Sequence, residues 1–312
     1  MAQTLTVRGE ELPALGFGEY DVLICGTGLT ECVLAGLLAT RGTRLGDAGD
    51  GNDGGPSRAL RVLMMDRNRF YGGASASLDL RALFDRFEGA ARGGPTPAEV
   101  AGFTKGAGDI NAFRCDLTPK FIMAGGTLAR ILQRTGATRY LDLYQVDGSF
   151  AAKSGGAKLH KVPATSSEAV QSSLVGFFQK RRLRAVLKFA IECDLGDTSS
   201  EGKTASSGAD GGGSPERERL CAMTARQFLM DEHWCDESTC EFIGHCIALY
   251  TDDTYLDGPA LPLVENLRLY AKSLLMYQNS SSPFLYPEYG LGGKPEAFAR
   301  LCSIHGLSLI HI

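Results

Sequence analysis

An α/β fold carrying an inserted helical domain is predicted by three features of the sequence. The apolar run YDVLIC (20–25) ends in the glycine turn GTG and passes into the helical pattern LTECVLAGLLAT (29–40). A second apolar run, RVLMM (61–65), closes on Asp66. Between Ser166 and Tyr250 the pattern is helical, and the chain then returns through PFLYPEYGLGGKPEAFARL (283–301).

Short apolar runs bounded by turn residues read as buried strands, so 20–25 and 61–65 are strands flanking the helix 29–40. Strand, helix and strand in that order make a right-handed βαβ unit with a parallel pair. The stretch RLGDAGDGNDGGPS between them has no apolar periodicity and is expected to be a disordered insertion, as is GDTSSEGKTASSGADGGGSPE at 196–216. Segments 139–153 and 158–163 alternate as strands joined by a hairpin, and NLRLYAKSLLMY reads as a helix. The expected organisation is a flexible leader at 1–19, a dinucleotide-type, Rossmann-like domain at 20–163 and 251–312, and a helical domain at 164–250.

The loop after the first strand tests whether that scaffold still serves a dinucleotide. In such loops the first glycine makes the turn, the second admits the pyrophosphate, and the third allows the helix to pack closely. Gly26 and Gly28 take the first two roles, but Glu31 stands at the third. A carboxylate there competes for the positive helix N-terminus, and like charges ~4 Å apart cost about 4 kcal/mol at an effective dielectric of ~20. Asp66 lies 40 positions beyond Gly26, and removing an insertion of roughly eighteen residues restores the ~20 expected of a ribose-binding acid. The scaffold is thus that of a dinucleotide fold with one ligand contact spoiled, and the loop by itself decides neither for nor against a bound cofactor.

Other chemistry is excluded more simply. A net charge of −4 gives no field to draw nucleic acid. The basic run Lys180 to Arg184 lies on a helix whose apolar positions Leu183, Val186, Leu187, Ala190 and Ile191 place Arg181, Arg184 and Lys188 opposite, as a solvated face. Nine cysteines without a CxxC pair, and no secretory signal, fit reduced thiols in the cytosol. His233, Cys235, Cys240, His245 and Cys246 cluster in sequence, and Cys235 and Cys240 stand at C-x₄-C, the wide end of zinc-pair spacing, but the stretch reads as helix, so reduced, partly buried cysteines rather than a metal site are expected. There is no run of eighteen apolar residues to cross a membrane.

Nine ordered blocks carry a family resemblance: YDVLICGTGLTECVLAG, MDRNRFYGGASASL, DLTPKFIMAGGTLARIL, TRYLDLYQVDGSF, KVPAT, FFQKRRLRAVLKF, ALYTDDTYLD, RLYAKSLLMY and PFLYPEYGLGGKPEAFARL. From Tyr20 to about Leu301 the chain resembles the Rab GDP dissociation inhibitors. The resemblance implies a larger domain similar to flavin-dependent oxidases that binds no flavin, with the glutamate of GTGLTEC part of the family pattern. It also implies a non-enzymatic, cytoplasmic carrier that holds GDP-bound, geranylgeranylated Rab GTPases, slows GDP release and makes transient membrane contact. Rab escort proteins and, more remotely, flavin-dependent oxidoreductases remain as alternatives.

Carried onto this sequence, the resemblance places Rab contacts at Tyr71 and Arg300. An isoprenoid needs an apolar site, since each buried CH₂ is worth ~0.8 kcal/mol. Leu174, Phe178, Ile191 and Ile247 are its candidates on the expected helices, and Met276 to Pro283 matches a mobile family loop. Three departures stand out. Gly293, followed by Lys294, replaces a Rab-contacting glutamate; GAGDINAFR around Asp109 lacks the family's arginines; and the chain after Leu301 leaves the pattern. The larger domain is accordingly expected to be incomplete.

Overall fold

The computed structural model describes residues 4–7, 10–13, 19–41, 60–87, 113–152, 159–196, 214–277 and 281–311. Nearly all of both expected insertions and Asp109 lie outside these residues, as does part of the loop after Met276. The chain opens with an antiparallel hairpin, β1 (Thr4–Val7) and β2 (Glu10–Pro13), which pairs Thr4 with Pro13 and Val7 with Glu10. This corrects the expectation of an unstructured leader. β-Branched Thr4, Thr6 and Val7 suit a pleated strand, and pairing satisfies the backbone groups.

The βαβ unit forms as its pattern predicts. β3 (Val22–Cys25) and β4 (Val62–Asp66) pair in parallel, Val22 opposite Val62 and Cys25 opposite Met65, joined through α1 (Leu29–Arg41). β5 (Ser77–Leu78) precedes α2 (Leu80–Phe87) and pairs with β6 (Cys115–Asp116). Further on come β7 (Ile122–Met123), α3 (Thr127–Thr135), β8 (Leu143–Gln145), β9 (Phe150–Ala152) and β10 (Leu159–Lys161). The expected strand 139–153 is thus divided, because a 3₁₀ turn occupies Ala137–Tyr140 and the chain bends at Asp147. Its last part does form the hairpin, Ala152 opposite Leu159.

The helical stretch comprises α4 (Ser166–Gln171), α5 (Phe177–Glu192), α6 (Pro215–Ala222), α7 (Glu237–Glu241) and α8 (Ala260–Leu275), with π-helical turns at Gln227–Glu232 and Phe242–Ile247. Local chemistry sets several ends. Thr165 accepts the Glu168 amide while Glu168 accepts the Ala164 amide, and Asp236 accepts the Thr239 amide. The chain closes with β11 (Phe284–Pro287), α9 (Gly293–Ile304) and β12 (Ser308–His311).

Two compact units result, one of residues 1–121, 131–144 and 286–312 and the other of residues 122–130 and 145–285. These limits differ from the 164–250 boundary expected from sequence. The helix α8 is the reason: its buried residues Leu263, Val264 and Leu267 join Val162, Leu220, Phe228 and Ile243 in one core, and it packs against α5 and α6. Helical periodicity marks α8 as amphipathic, but not which core receives its apolar face.

In the first unit α9 packs on α1, and the Cys302 thiol reaches the Cys32 carbonyl at 3.6 Å. The last strand corrects the sequence reading, which assigned no element after Leu301. β12 pairs in parallel with β4 on the edge opposite β3, Ser308 beside Leu63 and His311 beside Asp66. β4 thereby becomes the centre of a three-stranded sheet, consistent with burial of Val62, Leu63, Met64 and Asp66. At the edge, β3 leaves Leu23 54% exposed. Among the described residues no helix is long and apolar enough to cross a membrane.

Candidate functional site

The loop between β3 and α1 borders an open cavity of about 710 Å³, lined by residues 25–31, 65–68 and 72–75. Gly26 makes the turn at φ 109° and donates its amide to the Met65 carbonyl at 2.6 Å. Beyond it, the Glu31 side chain folds back over Gly28, so that a Cβ placed on Gly28 would collide with a Glu31 carboxylate oxygen. This is the space the second glycine of a dinucleotide loop keeps open for the pyrophosphate. Glu31 fills it.

Asp66 is equally engaged. One carboxylate oxygen accepts from the Thr27 amide at 2.9 Å and from the Thr27 hydroxyl; the other accepts from the Asn68 amide at 2.8 Å and its side-chain nitrogen at 2.9 Å. Burial pushes the carboxyl up, but the hydrogen bonds from Thr27 and Asn68 outweigh it and hold Asp66 below its ordinary range. Both oxygens brace the protein's own turn, leaving none aimed at a ribose. Gly26, Gly28, Glu31 and Asp66 therefore come together as the sequence predicted, but the donor set does not fit a dinucleotide.

Tyr71 stands beside this cavity, immediately before Gly72, whose amide donates to the Thr27 carbonyl at 2.9 Å. Its hydroxyl is pushed above the usual phenol range, first by burial and then by the Glu296 carboxylate. Glu296 is exposed on α9, one turn before Arg300, whose guanidinium lies 5.2 Å from the centre of the Tyr140 ring. The sequence reading missed Glu296. Its i, i+4 spacing to Arg300 was the available signal, but nothing in that spacing reveals the approach of Tyr71.

An acidic hub holds this surface in place. Asp116 accepts from the hydroxyls of Ser77 and Tyr286 and from the Leu291 amide at 2.9 Å, while Ser77 accepts the Gly292 amide at 2.7 Å. The loop before α9 is thus pinned to β5 and β6. Gly293 begins α9 with Leu141 Cδ1 only 2.9 Å from where a Cβ would stand, so Leu141 covers the position at which the resemblance expects glutamate. Lys294 is buried, which lowers its ammonium pKa against the opposing pull of Asp116.

Comparison with known proteins decides the family. A family model described as GDP dissociation inhibitor matches residues 17–310. The chain belongs to the GDP dissociation inhibitor family. A guanosine nucleotide diphosphate dissociation inhibitor of Arabidopsis thaliana is 42% identical over 288 residues, covering 92% of this chain and 55% of the relative. Inhibitor 2 of the same plant is 38% identical over the same shares. Among solved structures, a Rab GDI from Plasmodium falciparum matches with a TM-score of 0.65 and 32% identity, over 93% of this chain and 57% of that one. The chain spans about half the length of the curated relatives it matches.

The helical-unit candidates do not converge in this family member. Leu174 and Ile247 are buried within the core of the second unit, whereas Phe178 is 80% exposed and Ile191 sits on the exposed side of α5. Phe178 and Ile191 are thirteen residues apart, about 20 Å along a helix axis. The four residues do not line one cleft here, because α5 turns two of them to solvent while core packing takes the others. The sequence cluster of histidines and cysteines is also dispersed. His233 packs edge-on to Phe228, with ring centres 4.7 Å apart, and His245 bonds the Tyr250 carbonyl at 2.8 Å and Asp253 at 3.1 Å. Cys235 and Cys240 are buried, which pushes their thiols up to about 12 and about 11. Among the described residues no three such side chains converge on a metal position.

Proposed function

We propose that this chain acts as a Rab GDP dissociation inhibitor: a non-enzymatic, cytoplasmic carrier that binds GDP-loaded, prenylated Rab GTPases and moves them between membrane and cytosol. The family match across residues 17–310 carries the reading. Tyr71, Glu296 and Arg300 form the partner-binding surface of the first unit, with Asp116 holding α9 at the required height. The phenol, carboxylate and guanidinium offer both hydrogen-bond senses and both charges, a set suited to a polar protein surface rather than to turnover. The isoprenoid is sheltered within the helical unit. Glu31 over Gly28 and the engaged Asp66 support the absence of flavin chemistry, which disfavours the oxidoreductase alternative.

The test is binding of the chain to prenylated Rab loaded with GDP or GTP, measured by calorimetry. Tighter binding of the GDP form is expected, and Tyr71→Ala and Arg300→Ala should each weaken it about tenfold, as for a contact worth ~1–2 kcal/mol. Equal affinity for both nucleotide states would reject the inhibitor reading. Wild-type affinity in both variants would reject this surface.

A further inference from the structure

The helix α5 presents two unlike faces. Leu183, Val186 and Ala190 are buried, while the opposite stripe begins with Phe177 and Phe178, each 80% exposed, their rings edge-on at 5.6 Å. Single exposed apolar residues are ordinary, but two adjacent phenylalanines on the first turn of a helix are not. Gly176 before them has open space at its Cβ position. Arg181 and Arg184 continue the stripe, exposed and without an ion-pair partner among the described residues.

A second aromatic site is tied to the same helix. Arg182, one turn beyond Phe178, donates to the carbonyl of Trp234, whose side chain is 68% exposed. Trp234 holds φ 52°, a conformation that a bulky residue rarely adopts. That conformation ends the π-helical turn, with the Cys235 amide donating back to the Leu229 carbonyl at 2.9 Å, and it leaves the indole in water.

We propose that Phe177, Phe178 and Trp234, with Arg181 and Arg184 beside them, form an interfacial anchor for an anionic lipid surface. Aromatic rings favour the headgroup boundary, and a helix with an apolar end and a basic stripe lies in that plane. Each arginine near an anionic leaflet adds about fivefold to partitioning. A soluble acidic partner would be attracted by the arginines alone, whereas the exposed rings require an apolar phase. The anchor names the membrane contact of the carrier reading and rests on that reading for its purpose, but its test contains no GTPase, so either can fail alone.

Trp234 is the single tryptophan of the chain, so its fluorescence reports the site directly. The 312-residue chain is mixed with phosphatidylcholine vesicles, with or without about a third phosphatidylserine. Sedimentation with the anionic vesicles, a blue shift of Trp234 emission and quenching by brominated lipid are expected, with little binding to phosphatidylcholine alone. Arg181→Glu with Arg184→Glu should lower partitioning at least about 25-fold, and Phe177→Ser with Phe178→Ser should abolish the shift. Unchanged thermal unfolding of both double variants, whose altered residues are exposed, verifies their folding. The anchor is overturned if the wild type ignores anionic vesicles, binds them with Trp234 emission unmoved, or is matched by either variant. Arginine-dependent binding to polyglutamate that needs neither phenylalanine would also overturn it, in favour of an acidic protein partner.

Discussion

Replacing Asp66 by alanine probes the brace at the centre of the first unit. The Thr27 amide and hydroxyl both donate to one oxygen of Asp66, and Thr27 is fully buried. Hydrogen bonds to a charged group contribute ~1.5–3 kcal/mol, and a buried donor left unpaired costs ~1–3 kcal/mol. Asn68 is half-buried and can turn to water, so only the Thr27 side is counted. The loss is then about 3 kcal/mol, or a fall in Tm of roughly 6–12 °C at ~2–4 °C per kcal/mol. Asp66→Asn should lose about half as much, since one oxygen remains while its amide faces a donor. The folded carboxyl is held below its ordinary 3.8, so this stabilisation is complete above that pH and is lost as pH falls through the lower folded value. Urea and thermal unfolding at neutral pH and near pH 3 provide the assay. A neutral-pH Tm for Asp66→Ala within about 1 °C of wild type would refute the reasoning, because the carboxylate would then not be bracing the turn.

Two further perturbations follow from the same geometry. Gly290 has φ 86°, and a Cβ there would strike the Ser77 hydroxyl and approach Asp116 to 2.8 Å, whereas Gly306, at φ 87°, has open space around it. Gly290→Ala should therefore cost about 2–3 kcal/mol and Gly306→Ala about 1 kcal/mol in urea unfolding; equal losses would mean that the Asp116 hub yields freely. His233 and His245 should respond to pH in opposite senses. Burial lowers the His233 pKa, so its contribution is present above the unfolded value near 6.5 and is lost on acidification. The bond to the Tyr250 carbonyl, followed by that to Asp253, raises His245, whose contribution is complete below that value and is lost as pH rises through the folded pKa. Relative to wild type, His233→Phe should gain Tm between pH 8 and 5.5 while His245→Phe loses it. Parallel shifts of both variants across that range would contradict these assignments.

The sequence determined by itself whatever depends on neighbours along the chain. The apolar runs at 20–25 and 61–65 each contain a strand, the Gly26 turn lies between strand and helix, and the opposition of Arg181 and Arg184 to Leu183 and Val186 follows from helical spacing alone. Gly26, Gly28, Glu31 and Asp66 were legible as a group because a known loop geometry relates their spacing. What those groups touch was decided only by the tertiary structure. Both oxygens of Asp66 are taken by Thr27 and Asn68, and Glu296 approaches Tyr71 although 225 positions separate them. Apolar character alone could not distinguish Ile247, which enters the core, from Phe178, which faces solvent, because each lies on a helical segment whose partner is set by packing. The tail SLIH was equally undetermined. Four residues carry too little periodicity to declare a strand, and only the open edge of β4 supplies the hydrogen-bonding partner that makes it one.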